Sequence, residues 1–257
     1  MEPRLGHEKI AEALALAAEQ YGDRIAVGTD MMLLLRATDM LHLMSQVTER
    51  TEVLVAAILY DILLETDIDR DEIGERFGAE VLDLILVHNE NKEQLWIDRE
   101  PIPASALGLL SREEQLLIVA DIITRERWIA RALEKIGDTL WNYLERSRKE
   151  LAMYYSDVQD ALVHLQDDRE GAVLGWQMVN EYKDLFVQYW IDEDWTAIYQ
   201  FAEFGECVMW RRDSLGWSVA SLPDTSTMQQ ITRQEAEFMT DVWNHILTFS
   251  ADLGPLQ

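Results

Sequence analysis

An aspartate inside an apolar helical stretch limits what this chain can fold into more than any other feature. Residues 53–78 read VLVAAILYDILLETDIDRDEIGERFG. Leu54, Ala57, Ile58 and Ile62 recur at i, i+3, i+4 and i+8, the stripe of a helix turned towards a core. The periodicity predicts an apolar helix over 53–64 with Asp61 inside it. A polar turn, Thr66-Asp67-Ile68-Asp69, and a short second helix ending at Phe77-Gly78 follow. Burying a carboxylate without partners is costly. Asp61 therefore reaches the helix edge, bonds a neighbouring backbone group or arginine, or belongs to a site.

The flanking sequence is also mostly helical. The alanine- and leucine-rich stretch 8–20 reads as a helix, and Asp30 is the expected N-cap of another running to about Gln46. His42 on that helix is a packed or surface histidine. Residues 79–87 form an amphipathic helix through Val81, Leu82, Leu84 and Ile85, and 89–108, with two prolines, read as an irregular connection or flap. Ser111-Arg112-Glu113-Glu114 is a capping box opening a helix through 116–123. Residues 138–165 read as one long helix, and Asp167-Asp168-Arg169-Glu170-Gly171 as a domain boundary.

Beyond the boundary the character changes. A helix over 172–190 leads through Asp192-Glu193-Asp194 into a shorter one near 195–204. Residues 207–212 and 217–221, joined by Asp213-Ser214-Leu215-Gly216, read as a small β-hairpin. Thr232-Arg233-Gln234-Glu235 is a second capping box, opening a last helix to about Ser250. Trp176, Trp190, Trp195, Trp210, Trp217 and Trp243 crowd this part. Such aromatics either build a compact core or, where exposed together, mark a binding face, for which Trp195, Trp210 and Trp217 are the candidates.

Composition narrows the function classes. With 257 residues, 48% hydrophobic and 27% charged, the chain can bury a sizeable core as a soluble globular protein. No apolar run nears the ~18 residues that span a bilayer, and MEPRLGHEK lacks a signal-peptide layout. The single cysteine, Cys207, allows neither an intrachain disulfide nor a Cys-rich metal site. A cytoplasmic location is the expectation. Asp and Glu outnumber Lys and Arg by 48 to 22, a net charge of −26. That field opposes nucleic-acid binding and attracts basic protein surfaces. A P-loop, G-x-S-x-G, H-E-x-x-H and paired C-x-x-C are all absent from the sequence.

The frame Ala57-Ile58-Leu59-Tyr60-Asp61-Ile62-Leu63-Leu64-Glu65-Thr66, with Phe77-Gly78 after it and Ile118-Val119-Ala120-Asp121 further on, resembles the HD-domain phosphohydrolases. The closest likeness is to the SpoT/RelA-type (p)ppGpp hydrolases, over about residues 8–165. The resemblance implies a mainly α protein. Residues 1–165 would be an HD-domain-like helical bundle, and 166–257 a C-terminal α+β extension carrying the hairpin. In that family two histidines and two aspartates hold a divalent ion, usually Mn²⁺, and a Glu-Asp pair handles the attacking water. The corresponding positions here are Leu33, Tyr60, Asp61 and Asp121 for the ion, and Leu64 and Glu65 for the water. Tyr21 stands where a family histidine would be, and Arg24 near a substrate-binding basic cluster.

Leucine offers no lone pair and neutral tyrosine is a poor ligand. The resemblance thus implies a vestigial site and no resident cofactor. The first reading is a catalytically inactive protein of this type that binds a partner protein, in a regulatory, inhibitory or antitoxin-like role. Self-association remains open. The second is an active Mn²⁺-dependent nucleotide phosphohydrolase around Asp61, Glu65 and Asp121. The third is a nucleotide-binding sensor that does not hydrolyse.

Overall fold

The computed structural model describes residues 2–26, 29–87, 102–202, 207–212 and 217–252. They form two compact units, Met1–Glu181 and Tyr182–Gln257. Gly28, most of the 89–108 connection and the 213–216 turn lie outside the described residues.

The first unit is helical: α1 (Glu2–Tyr21), α2 (Leu33–Ser45), α3 (Thr51–Leu59), α4 (Ile62–Glu65), α5 (Arg70–Phe77), α6 (Ala79–Ile85), α7 (Ala104–Leu107), α8 (Arg112–Ile136), α9 (Arg148–Ala161) and most of α10 (Arg169–Phe186). Every residue of α3 from Val53 to Leu59 is buried. A helix apolar on all sides can only be central, and α1, α2 and α6 pack around it. Helix α5 ends where Gly78 takes φ 100°, a conformation open to glycine, and α6 begins at once.

Three helical expectations change. The stretch 53–64 is two helices, because Asp61 leaves helical geometry at φ −98° and ψ 3°. Its carbonyl then accepts from the N–H groups of Leu64 and Glu65 and starts a new turn. Asp30 is not the cap of α2, whose N-cap is Met32. Its carboxylate instead accepts from Trp128 Nε1 at 2.9 Å and Lys135 Nζ at 2.5 Å. The 138–165 stretch is broken into a 3₁₀ turn, Gly137–Asn142, and α9. Ser147 and Glu150 form a complete capping box there, and a box starts a helix. The Ser111–Glu114 box does open α8.

The second unit holds the end of α10, β1 (Val187–Ile191), β2 (Ala197–Ala202), β3 (Cys207–Arg211), β4 (Trp217–Ala220), β5 (Gln229–Ile231) and α11 (Arg233–Asp252). The strands form one antiparallel sheet in the order β4-β3-β2-β1-β5. The expected helix near 195–204 is therefore strand β2, and the expected 172–190 helix stops at Phe186. Asp192 explains the reversal between β1 and β2. Its carboxylate accepts from Thr196 N and Oγ1 and from Ala197 N, closing a tight turn. The hairpin of β3 and β4 forms as expected within this larger sheet. Tyr189, Ile191, Ile198, Trp210 and Ile231 pack against Ala236 and Trp243 of α11, with the two indoles stacked at 5.1 Å.

Candidate functional site: a buried arginine–aspartate centre

Asp61, at the break after α3, and Asp121, in the middle of α8, do come together, through an arginine that sequence reasoning passed over. Arg36 of α2 is 1% exposed, Asp61 5% and Asp121 0%. The Arg36 guanidinium contacts Asp61 Oδ2 through Nη1 at 2.7 Å and Asp121 Oδ1 through Nη2. One turn along α8, Arg125 Nε faces both Asp121 oxygens at 3.0 Å. Two carboxylates are thus interleaved with two guanidiniums, a neutral group in which a bidentate-capable cation satisfies each buried anion.

Aromatic rings close the group off. The Arg36 guanidinium carbon lies 5.6 Å from the Tyr60 ring centroid, a cation–π contact. Tyr21 of α1 and Tyr155 of α9 are each 1% exposed. Burial first, and then the Asp61 charge, drive the Tyr21 phenol well above its usual range, against Arg36. Burial does the same to Tyr155, against Arg125. Both stay neutral. Burial works against the Arg36 charge, but Asp61 and Asp121 outweigh it and keep the guanidinium protonated. Burial also raises the Asp61 carboxyl, with Arg36 opposing and Asp121 reinforcing the rise.

The remaining expected positions fall as follows. Leu33 is buried, at 2% exposure, and so is Tyr60. Leu64 and Glu65 are half-buried on α4. Arg24 donates from Nη1 to the Glu65 backbone carbonyl at 2.9 Å. His42 is exposed. Trp195 and Trp217 are 48% and 43% exposed, whereas Trp210, at 1%, is a core residue with no side-chain surface to offer.

A signal for Arg36 was present. It interrupts LLLRATDML, an apolar helix, just as Asp61 interrupts its own. Two buried opposite charges on neighbouring helices point to one another.

The carboxylates of Asp61 and Asp121 face guanidinium groups. Among the described residues no group of three or more His, Cys, Asp or Glu could hold a metal ion. Asp61 and Asp121 have a guanidinium between them, and Leu33 and Tyr60 bring no imidazole.

In fold the chain is similar to a metazoan SpoT orthologue, a protein described as hydrolysing ppGpp and acting in starvation responses. The TM-score is 0.53 at 20% identity, over 68% of this chain and 94% of that one. In sequence the chain is distantly similar to the guanosine-3′,5′-bis(diphosphate) 3′-pyrophosphohydrolase of Aquifex aeolicus, 24% identical over 196 residues and 76% of this chain. It spans about a quarter of that relative's length, 26%. No family model matches the chain. None of the described helices is long and apolar enough to cross a membrane.

Proposed function

We propose that this protein keeps the SpoT-like helical scaffold as a non-hydrolysing binding protein, whose internal cation is arginine in place of a metal. One observation carries the reading: the Arg36 guanidinium lies between Asp61 and Asp121. With Arg125 it supplies two positive charges to two carboxylates, the charge a divalent ion would bring. A guanidinium cannot polarise a phosphoryl oxygen as a Lewis acid, nor lower the pKa of a bound water. Burial of Leu33, Tyr60, Asp61 and Asp121 supports a filled pocket and argues against a nucleotide held among them. The net charge of −26 supports a basic protein surface as partner, in a regulatory or inhibitory role.

The test is turnover. Purified full-length chain, incubated with ppGpp and Mn²⁺, is expected to release no pyrophosphate above the level of an Asp61→Ala control. Mn²⁺-dependent release by the wild type that disappears in Asp61→Ala would establish an active phosphohydrolase instead. Calorimetry against a small nucleotide panel separates a nucleotide sensor, which gives saturable heat, from a protein-binding chain, which gives none.

A further inference from the structure

The sheet of the second unit has two unlike edges. On one side, β5 is only three residues long and runs straight into the capping box at Thr232 and Glu235. On the other, among the described residues, β4 is bonded to β3 along one side and to no strand along the other. An open edge is a template for a further strand, and natural sheets blunt theirs with brevity, lysine, proline or charge. The run into the α11 cap, more than length, sets β5 apart, since β4 has only four residues itself. Residues 217–222, WSVASL, carry no charge and no proline, in a chain of net charge −26.

The register shows what this edge leaves uncovered. Trp217 pairs with Trp210, which pairs with Ile198, so these side chains share the face that packs under α11. Trp210 is buried there, yet Trp217 is 43% and Val219 68% exposed. The core side of the sheet thus runs on past its cover. The two ends of the strand also differ in charge. Exposed Arg211 and Arg212 lie beyond Trp217, and exposed Asp224 lies beyond Ala220.

We propose that β4 pairs antiparallel with β4 of a second copy of this chain, joining two sheets into one across a two-fold axis. That symmetry sets the Arg211–Arg212 end of each copy against the Asp224 end of the other, so each contact is made twice. It also brings Trp217 and Val219 of both copies together. Residues 217–222 themselves hold no acidic group to draw in a basic protein, and the charges flanking them are complementary to each other. This favours a second copy over a foreign strand. The inference is independent of the Arg36 centre and of any reading of catalysis.

The test is the mass of the full chain in solution, by sedimentation or light scattering, over about 1–100 µM, the range in which a small interface dissociates. A concentration-dependent dimer is expected. Val219→Lys, a charge on the open edge, abolishes it without changing the far-ultraviolet circular dichroism. The pair Arg211→Glu and Arg212→Glu weakens it about tenfold or more, and adding Asp224→Arg restores it. Should Val219→Lys fail to fold, the exposed charge variants still decide. A monomer at every concentration overturns the proposal. So does a dimer indifferent to Val219→Lys, or a charge reversal that Asp224→Arg does not rescue.

Discussion

Replacing Arg36 by methionine removes the cation and keeps most of the volume. Asp61 and Asp121, 5% and 0% exposed, then remain buried with Arg125 as their nearest guanidinium, and that group faces Asp121. Breaking a buried ion pair from one side costs about 3–5 kcal/mol, since the remaining charge is left uncompensated. For a chain of this size each kcal/mol lowers the melting temperature by about 2–4 °C, so a fall of about 6–20 °C is expected. The pH dependence has a definite sign. Asp61 is raised by burial already and rises further without Arg36. A carboxyl raised in the folded state contributes stability below its unfolded pKa of about 3.9, and that contribution is lost as pH rises through the folded value. The penalty of Arg36→Met is therefore greatest near neutrality and shrinks in acid. Asp61→Asn, added to Arg36→Met, recovers part of the loss, and chemical denaturation of all four proteins gives the coupling. A loss under about 1 kcal/mol for Arg36→Met, or no coupling to Asp61, refutes the reasoning, because exposed ion pairs are worth that little.

Glu126, next to Arg125, is fully buried with neither carboxyl oxygen hydrogen-bonded, and burial drives its pKa well up, with Glu181 reinforcing. Its contribution is present below an unfolded pKa of about 4.3 and lost as pH rises through the folded value. Denaturation at two pH values should therefore find Glu126→Gln more stable than wild type by about 1–3 kcal/mol at about pH 8, with the gap closing in acid. Trp210→Ala empties the core under α11 and should cost about 3–5 kcal/mol in urea unfolding, whereas Trp176→Ala, at 66% exposure, should cost under about 0.5 kcal/mol. Trp195 holds φ 56°, which asparagine tolerates better, so Trp195→Asn should leave the melting temperature unchanged or raise it by the equivalent of up to about 1 kcal/mol. Ser111→Ala removes one half of the capping box of α8 and should cost about 0.5–2 kcal/mol in the same assay.

What the sequence revealed, and what it hid, follows from the range of the interactions. The capping boxes at Ser111 and Thr232 were legible because the partners lie three residues apart. The apolar stripe of α3 was legible because it obeys one period. The break at Asp61 was not, since nothing local forces it and its side chain answers to Arg36 on another helix. Strand β2 was mistaken for a helix because AIYQFA is short and fits either period; its pairing with β1 and β3 decides the matter. Asp30 looks like a cap by type, but Trp128 and Lys135, about a hundred positions away in sequence, claim it. The convergence of Asp61 and Asp121 was expected from the family resemblance alone. The guanidinium between them is 85 residues from Asp121 in sequence and could be inferred only by asking what neutralises each buried charge.

The central claim is that Arg36 holds the place of an ion, and diffraction tests it most directly. Crystals soaked in MnCl₂ and measured at the manganese edge should show Arg36 still bridging Asp61 and Asp121, with no anomalous peak between them. A manganese peak within coordinating distance of both carboxylates, with the Arg36 side chain displaced, would contradict the account.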